Sequence, residues 1–203
     1  MTHATTWFDL IRHGEPQGGR RYRGHLDDPL SDTGWAQMRA AIRADDQWDA
    51  VLSSPLSRCR AFAEEISTRR QCPLHVEPDL KEISFGDWEG HTLEALQRDD
   101  GERLAAFWAD GERHPPPNGE NLGDFYRRVR DAWRHWSATL SGQRVLLVGH
   151  SGMIRMVLAD ALRLPPAHAM ASLVVPYAGR SRLRIDDTDH GRLISLVHHG
   201  VLP

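Results

Sequence analysis

Apolar residues occur along the chain in two alternating patterns, short continuous runs and stretches with helical spacing. Continuous apolar runs bounded by glycine or polar residues are typical of buried strands. These runs predict strands at residues 7–11, 50–52, 74–76, 145–148, 172–175 and 193–197.

Helical spacing of the apolar residues predicts helices between these strands. Trp35, Met38 and Ile42 mark one helical face. Ser54 and Pro55 suit the N-cap and the first turn of a helix, so the next helix is predicted to begin there. Its buried face would consist of Leu56, Cys59, Phe62 and Ile66. Two further helices are predicted at residues 121–140 and 153–162.

The segment between residues 80 and 120 has a less regular pattern. Residues 80–90 are rich in glycine and irregular, which predicts a loop. Residues 92–110 look helical. Residues 111–120 contain three consecutive prolines, which interrupt the helical pattern. We expect residues 91–120 to form a helical and loop region that covers the substrate.

Strands that alternate with helices predict an α/β protein, a three-layer α/β/α sandwich with a mostly parallel central sheet. We expect residues 1–203 to form a single domain. In such sheets ligands bind beyond the carboxyl ends of the strands. The segments RHG at residues 12–14 and GHSG at residues 149–152 both follow predicted strands.

Composition narrows the classes of function and the compartment. The formal net charge of −3 gives no reason to expect a nucleic-acid partner or a membrane partner. Two cysteines, Cys59 and Cys72, do not make a disulfide framework, so a reducing compartment, the cytoplasm, is expected. No window approaches the roughly 20 apolar residues that cross a bilayer, and the N-terminus does not read as a signal peptide.

Basic side chains gather at the predicted ligand edge of the sheet. Arg12 and His13 follow the first strand, Arg58 lies just after the second, and His150 follows the aliphatic strand at residues 145–148. Like charges repel in a partly desolvated site unless an anion joins them. The planar fork of arginine suits phosphate oxygens, so the cluster favours a phosphate site over a solvated surface patch.

Other residue patterns give weaker signals. The chain has 12 histidines, but they lack zinc-ligand spacing, so neither a metal nor another cofactor is expected. Ser151 lacks the flanking residues of a serine-hydrolase elbow. Trp88 and Trp108 are compatible with the core, with the rim of a site, or with stacking on an aromatic substrate.

Six segments together resemble the histidine phosphatase superfamily, also called phosphoglycerate mutase-like. They are residues 10–15 (LIRHGE), 23–37 (RGHLDDPLSDTGWAQ), 53–64 (SSPLSRCRAFAE), 80–90 (LKEISFGDWEG), 118–120 (NGE) and 148–155 (VGHSGMIR). The resemblance implies a phosphohistidine intermediate on His13, phosphoryl binding by Arg12, Arg58 and His150, and a proton donor at Glu82. It makes His13, Glu82 and His150 the expected catalytic residues of a metal-independent phosphatase.

The chain departs from that family pattern after residue 15. Many relatives carry a Ser or Thr and then an Asn there, whereas this chain continues EPQGGR, with Pro16 and Gly19 in place of polar side chains. Backbone amides near Gly19 or the side chain of Arg23 could replace the missing donors. Together with Ser151, Gly19 and Arg23 form a candidate extension of the pocket.

Within the superfamily, the short chain and the segments FGDWEG and PPPNGE most resemble α-ribazole phosphatase of cobalamin biosynthesis. The expected substrate is therefore a small phosphomonoester, α-ribazole 5′-phosphate. The alternatives are a phosphoglycerate mutase, a phosphatase for sugar phosphates or for many phosphomonoesters, and a non-catalytic module that binds a phospholigand. The sequence is also compatible with a homodimer.

Overall fold

The computed structural model of the protein describes residues 4–202. The sheet in this part of the chain consists of β1 (Thr5–Arg12), β2 (Ala50–Ser53), β3 (Leu74–Val76), β4 (Arg144–Gly149), β5 (Arg180–Thr188) and β6 (Gly191–Val201). The helices are α1 (Asp32–Ala40), α2 (Ser57–Arg70), α3 (Leu93–Asp99), α4 (Gly101–Ala109), α5 (Leu122–Thr139), α6 (Ser151–Leu162) and α7 (Pro166–Ser172). Two short 3₁₀ turns span Pro78–Leu80 and Gly86–Trp88.

The strands lie in the order β3-β2-β4-β1-β5-β6. The first four are parallel to one another, β5 is antiparallel to β1, and β6 is antiparallel to β5. The mostly parallel sheet is therefore confirmed. In the register between β1 and β4, Arg12 lies opposite Gly149. The residues that follow these two, His13 and His150, consequently leave the sheet side by side at one edge.

Two apolar cores lie on opposite faces of the sheet, as a three-layer sandwich requires. Alternate residues of one strand divide between them, so Leu10 of β1 enters one core and its neighbour Ile11 the other. The first core is closed by α4, α5 and α6, with Trp133 and Phe125 fully buried. The second is closed by α1 and α2, with Phe62 fully buried. This packing confirms the expected three layers.

Most predicted elements appear with small shifts at their ends. Residues 7–11, 50–52, 74–76, 145–148 and 193–197 all lie in strands. Residues 80–90 form a loop that begins at the end of the 3₁₀ turn Pro78–Leu80 and contains the 3₁₀ turn Gly86–Trp88. Residues 92–110 form two helices, α3 and α4, separated at Asp100. Helix α5 begins after Asn121, whose side chain accepts hydrogen bonds from two backbone N–H groups. Helix α6 begins at Ser151, two residues before the predicted start.

The strand predicted at residues 172–175 is wrong. Residue 172 ends α7, residues 173–179 are irregular, and the strand begins at Arg180. The run of apolar letters was misleading, because Val174 is 74% exposed. The true strand reads as polar because Arg180 and Arg182 pair with the buried carboxylates of Asp46 and Asp9, while alternate residues enter the core.

The predicted helix start at Ser54 is also wrong. Helix α2 begins at Ser57, and its N-cap residue Leu56 makes no side-chain capping bond. Ser54 is fully buried, and its hydroxyl lies 2.7 Å from Nε2 of His150. The same hydroxyl accepts a hydrogen bond from the N–H of Leu56 at 3.3 Å, so Ser54 contacts both the site and the residue that precedes α2.

Across residues 4–202, none of the helices has both the length and the apolar character needed to cross a membrane.

Candidate active site

A cavity of about 380 Å³ opens at the carboxyl ends of the central parallel strands. Its walls come from the end of β1, the starts of α2 and α6, and the loops around residues 20–24 and 82–85. The charged residues of its lining carry a net positive charge. They are Arg12, Arg20, Arg21, Arg23, Arg58, Arg155, Glu82 and Glu94. Such a field suits an anionic ligand.

His13 lies on the floor of this cavity in a defined tautomer. Its Nδ1 atom is 2.7 Å from the carbonyl oxygen of Gly14. A carbonyl oxygen only accepts, so Nδ1 carries the proton and, in the neutral ring, the lone pair is on Nε2. Burial lowers the pKa of His13 well below its usual range, and the charges of Arg58 and Arg12 lower it further. The ring is therefore neutral and nucleophilic at pH 7.

Arg58 lies on the first turn of α2 and is 1% exposed. Its Nη1 donates to the carbonyl oxygen of Leu26 and its Nη2 to that of Gly24, both at 2.8 Å. Arg12 donates from Nη1 to the carbonyl oxygen of Val175 at 2.7 Å. Within the described chain, Nε of each arginine is buried without a hydrogen-bond partner. Each guanidinium group therefore has donor capacity remaining for an anion.

His150 completes the cluster from the end of β4. Its ring is fully buried and lies edge-on to the ring of His13, with 5.2 Å between the centroids. Burial lowers the pKa of His150 well below its usual range, and the nearby Arg58 charge lowers it further. Ser54 lies against Nε2 of this ring at 2.7 Å, and Sγ of Cys59 lies 3.6 Å from the same nitrogen. The structure thus brings Arg12, His13, Arg58 and His150 together, as the sequence predicted.

Glu82 enters the cavity from the loop after the first 3₁₀ turn. Its carboxylate accepts three backbone N–H bonds, from Gly152 at 2.9 Å, Met153 at 3.1 Å and Ile83 at 3.1 Å. Two of these donors belong to the N-terminus of α6, where the helix dipole also favours a negative charge. A Cβ atom on Gly152 would lie 2.4 Å from Oε1 of Glu82, so only glycine allows this approach.

The backbone of Glu82 is fixed by side chains from two directions. His25 donates from Nε2 to its carbonyl oxygen, and Arg128 donates from Nη2 to the same oxygen, both at 2.9 Å. Arg128 is held in turn by a bidentate pair with Glu120 at 2.6 and 2.7 Å. The segment NGE at residues 118–120 therefore supports the loop of the predicted proton donor.

The candidate extension of the pocket is only partly assembled. Arg23 and Ser151 line the cavity, and Gly19 does not. Arg23 is 7% exposed, and it donates to the carbonyl oxygens of Gln17 and Gly19 and pairs with Asp28. It thus ties down the turn at residues 17–19, whose glycines have positive φ. The contribution of these residues to phosphate binding stays a prediction.

Several lining residues escaped the sequence analysis. Arg155 lies one turn after Ser151 on α6, and helical spacing from the GHSG segment could have identified it. Tyr177 lies in the irregular segment before β5, and no sequence pattern indicates its position. Trp108 is 47% exposed at the rim and its Nε1 donates to the hydroxyl of Tyr22 at 3.0 Å, whereas Trp88 is a core residue at 2% exposure.

Within residues 4–202, no three or more His, Cys, Asp or Glu side chains are grouped so as to hold a metal ion. The groups around His13 are instead guanidinium and imidazole donors, which favour an anion.

Comparison with known proteins identifies the family. The model of the histidine phosphatase superfamily (branch 1) matches residues 8–197. The chain belongs to this superfamily. The adenosylcobalamin/alpha-ribazole phosphatase of Salmonella typhimurium is 34% identical over 162 residues, which cover 78% of this chain and 80% of that protein. The glucosyl-3-phosphoglycerate phosphatase of Mycolicibacterium vanbaalenii is 34% identical over 168 residues, covering 77% of this chain and 74% of that one.

A solved structure gives the same result for the fold. The putative alpha-ribazole-5′-P phosphatase of Escherichia coli superposes with a TM-score of 0.80 at 29% identity and covers 98% of both chains. This histidine phosphatase is thus a phosphoric monoester hydrolase with the phosphoglycerate mutase-like fold, as the sequence resemblance implied.

The buried neutral histidines predict a pH-dependent stability. The pKa values of His13 and His150 are lowered in the folded protein, so below about pH 6.5 the unfolded chain binds more protons than the folded one. The free energy of unfolding therefore decreases as the pH is lowered. Each residue contributes a slope of at most about 1.4 kcal/mol per pH unit. Urea denaturation of His150→Gln between pH 7.5 and 5.5 should show a shallower slope than the wild type. The exposed His114→Gln should keep the wild-type slope, and identical slopes for all three proteins would contradict the burial argument.

Displacing the Glu82 carboxylate should damage leaving-group protonation selectively. In Gly152→Ala, the new Cβ pushes the carboxylate away from the α6 N-terminus. We expect kcat to fall on the order of a hundredfold for an alkyl phosphate, the usual size of a general-acid contribution. The fall should be much smaller for p-nitrophenyl phosphate, whose leaving group needs no proton.

Gly101→Ala is the matched control, because a Cβ there meets nothing within 4 Å. Equal losses of Gly152→Ala with both substrates would argue against a proton donor at Glu82.

Proposed function

We propose that the protein hydrolyses α-ribazole 5′-phosphate through a phosphohistidine intermediate on His13. The observation that carries the proposal is the neutral His13 ring, with its lone pair on Nε2, beside the buried guanidinium group of Arg58 and the half-buried one of Arg12. An imidazole nitrogen in that state can attack phosphorus, and the arginines can neutralise the charge of the phosphoryl oxygens.

In the first half-reaction, Nε2 of His13 forms a bond to phosphorus while the ester P–O bond breaks. The leaving oxygen takes a proton from Glu82. Three N–H bonds favour the carboxylate of Glu82, whereas a phosphate dianion held by Arg12 and Arg58 favours its protonated form. Substrate binding thus favours the uptake of a proton from solvent by Glu82, and this is the proton that passes to the leaving oxygen.

In the second half-reaction, the Glu82 carboxylate accepts a proton from a water molecule that attacks the phosphohistidine. The P–N bond breaks, inorganic phosphate forms, and His13 regains its lone pair. Arg12, Arg58 and His150 would bind the phosphoryl oxygens in both steps. The cavity is open to solvent at its mouth, which supports hydrolysis over a mutase that must exclude water.

The outer wall of the cavity supports an aromatic leaving group. Tyr22, Phe85 and Trp108 line it together with the apolar side chains of Leu93 and Met170. The rings of Tyr22 and Phe85 pack edge-on at 4.9 Å. A partly exposed indole beside apolar side chains is suited to stacking on a flat heterocycle such as the base of α-ribazole. The name of the Salmonella typhimurium relative points to the same substrate.

Residues 91–120 contribute Leu93, Glu94 and Trp108 to this wall. Their contribution supports the proposal that this region covers the substrate. The match of one family model to residues 8–197 supports a single domain.

A second candidate substrate carries an additional anionic group. Arg20, Arg21 and Arg155 line the cavity beyond the residues assigned to the phosphoryl group. Such charges would suit a carboxylate, and one relative is a glucosyl-3-phosphoglycerate phosphatase.

The two thiols, Cys59 and Cys72, are unpaired and support the proposed cytoplasmic location.

The decisive experiment measures kcat/KM on a panel of phosphomonoesters with and without a chelator. The panel contains α-ribazole 5′-phosphate, glucosyl-3-phosphoglycerate, 3-phosphoglycerate and p-nitrophenyl phosphate. We expect the highest value with α-ribazole 5′-phosphate and no effect of the chelator. His13→Ala should abolish phosphate release and acid-labile labelling of the protein, whereas His114→Ala should retain both. Undiminished turnover by His13→Ala would reject the mechanism, and a preference for another ester would reject the substrate.

Stacking of the substrate base on Trp108 can be tested separately. Loss of one aromatic partner under a base weakens binding by about 1–3 kcal/mol, so Trp108→Ala should raise KM for α-ribazole 5′-phosphate about tenfold. KM for glycerol phosphate should change little. Trp108→Phe keeps a π face and should restore most of the affinity. Equal effects on both substrates would show that Trp108 has no role in recognising the base.

A further inference from the structure

The irregular segment at residues 173–179 accepts hydrogen bonds from two arginines of the cavity. The carbonyl oxygen of Leu173 accepts a hydrogen bond from Nε of Arg155, and that of Val175 accepts one from Nη1 of Arg12, both at 2.7 Å. Both arginines line the cavity. The segment, which overlaps the wrongly predicted strand, therefore holds two arginines of the site and contributes Tyr177 to its lining.

The same segment is anchored to the backbone of Arg12. The N–H of Ala178 donates to the carbonyl oxygen of Arg12 at 3.1 Å, and the N–H of Arg12 donates to that of Gly179 at 3.2 Å. These bonds extend the pairing of β1 with β5 irregularly, because residues 178 and 179 both lie opposite Arg12. They hold Tyr177 next to the side chain of Arg12.

Tyr177 covers one face of the Arg12 guanidinium group. Cζ of Arg12 lies 3.9 Å from the centroid of the tyrosine ring. Other arginine–aromatic pairs in the described residues have longer distances, from 4.8 to 5.9 Å. The ring is also 5.8 Å from that of His13. The contact between Arg12 and Tyr177 is thus a close stacking interaction beside the nucleophile.

Arg12 has few other restraints. Its Nε atom is buried and has no hydrogen-bond partner within residues 4–202, and this burial lowers the pKa of the guanidinium group. One hydrogen bond to Val175 fixes a point on the guanidinium group but not its plane. A desolvated guanidinium gains most from an aromatic face, and bidentate contact with phosphate needs a fixed plane.

We propose that Tyr177 is a positioning residue, whose ring holds the Arg12 guanidinium in the plane that binds the phosphoryl group. This inference rests on the proposed function, because it assumes that Arg12 binds phosphate. It assigns the role to the aromatic face and not to the phenol hydroxyl.

The test compares aromatic and non-aromatic replacements by titration calorimetry with inorganic phosphate. Tyr177→Leu should raise Kd for phosphate about tenfold, because a desolvated cation–π contact is lost. Tyr177→Phe should bind within about twofold of the wild type. The matched control is Tyr126→Leu, which removes another tyrosine–arginine pair, with Arg130, outside the cavity. Its Kd should not change.

A coupling measurement separates positioning from a general structural effect. In an Arg12→Lys background there is no planar guanidinium to orient, so adding Tyr177→Leu should cause little further loss. Circular dichroism melting checks each variant, and Tyr177→Met replaces Tyr177→Leu if that protein does not fold. Full additivity of the two substitutions, or a Tyr177→Phe as weak as Tyr177→Leu, would overturn the inference.

The outcomes also distinguish this inference from the proposed function. A wild-type protein that neither binds phosphate nor hydrolyses any phosphomonoester would refute the function itself. A wild type that does both, with a Tyr177→Leu of equal affinity, would refute only the role of Tyr177.

Discussion

The structure depends on keeping two guanidinium groups and two neutral imidazoles together at the base of one cavity. Their mutual repulsion is offset by main-chain carbonyl oxygens, of Gly24 and Leu26 for Arg58 and of Val175 for Arg12. These acceptors come from loops far apart in the sequence. The folding of those loops is therefore coupled to the charge arrangement, and an anion bound in the cluster would relieve the remaining repulsion.

The sequence predicted those parts of the fold in which local pattern and tertiary environment agree. Residues 145–148 form a strand that is buried on both faces, so their environment allows only apolar side chains and the run is unambiguous. The same reasoning placed His13 and His150 at one edge, because the carboxyl ends of parallel neighbours meet there. The family and fold were therefore accessible from the sequence before any contact was known.

Errors occurred where a residue's role is set by a distant partner. Ser54 has the chemistry of a helix cap, yet its hydroxyl contacts His150, 96 positions away. Arg180 and Arg182 look like surface residues, yet they pair with buried carboxylates of Asp46 and Asp9. Tyr177 has no sequence signal at all, since its position depends on the backbone bonds between residue 12 and residues 178–179. Such long-range pairings cannot be read from local spacing.

The N-terminus of α6 is already occupied by an internal anion, the carboxylate of Glu82. A phosphoryl group in this cavity therefore meets side chains and not a free helix end, and its affinity is linked to the proton on Glu82. By thermodynamic reciprocity, a ligand that favours the protonated acid binds less tightly once the proton has left. In the proposed cycle Glu82 regains a proton from the attacking water as inorganic phosphate forms, so the loss of that proton to solvent would weaken the binding of the product and link its release to pH.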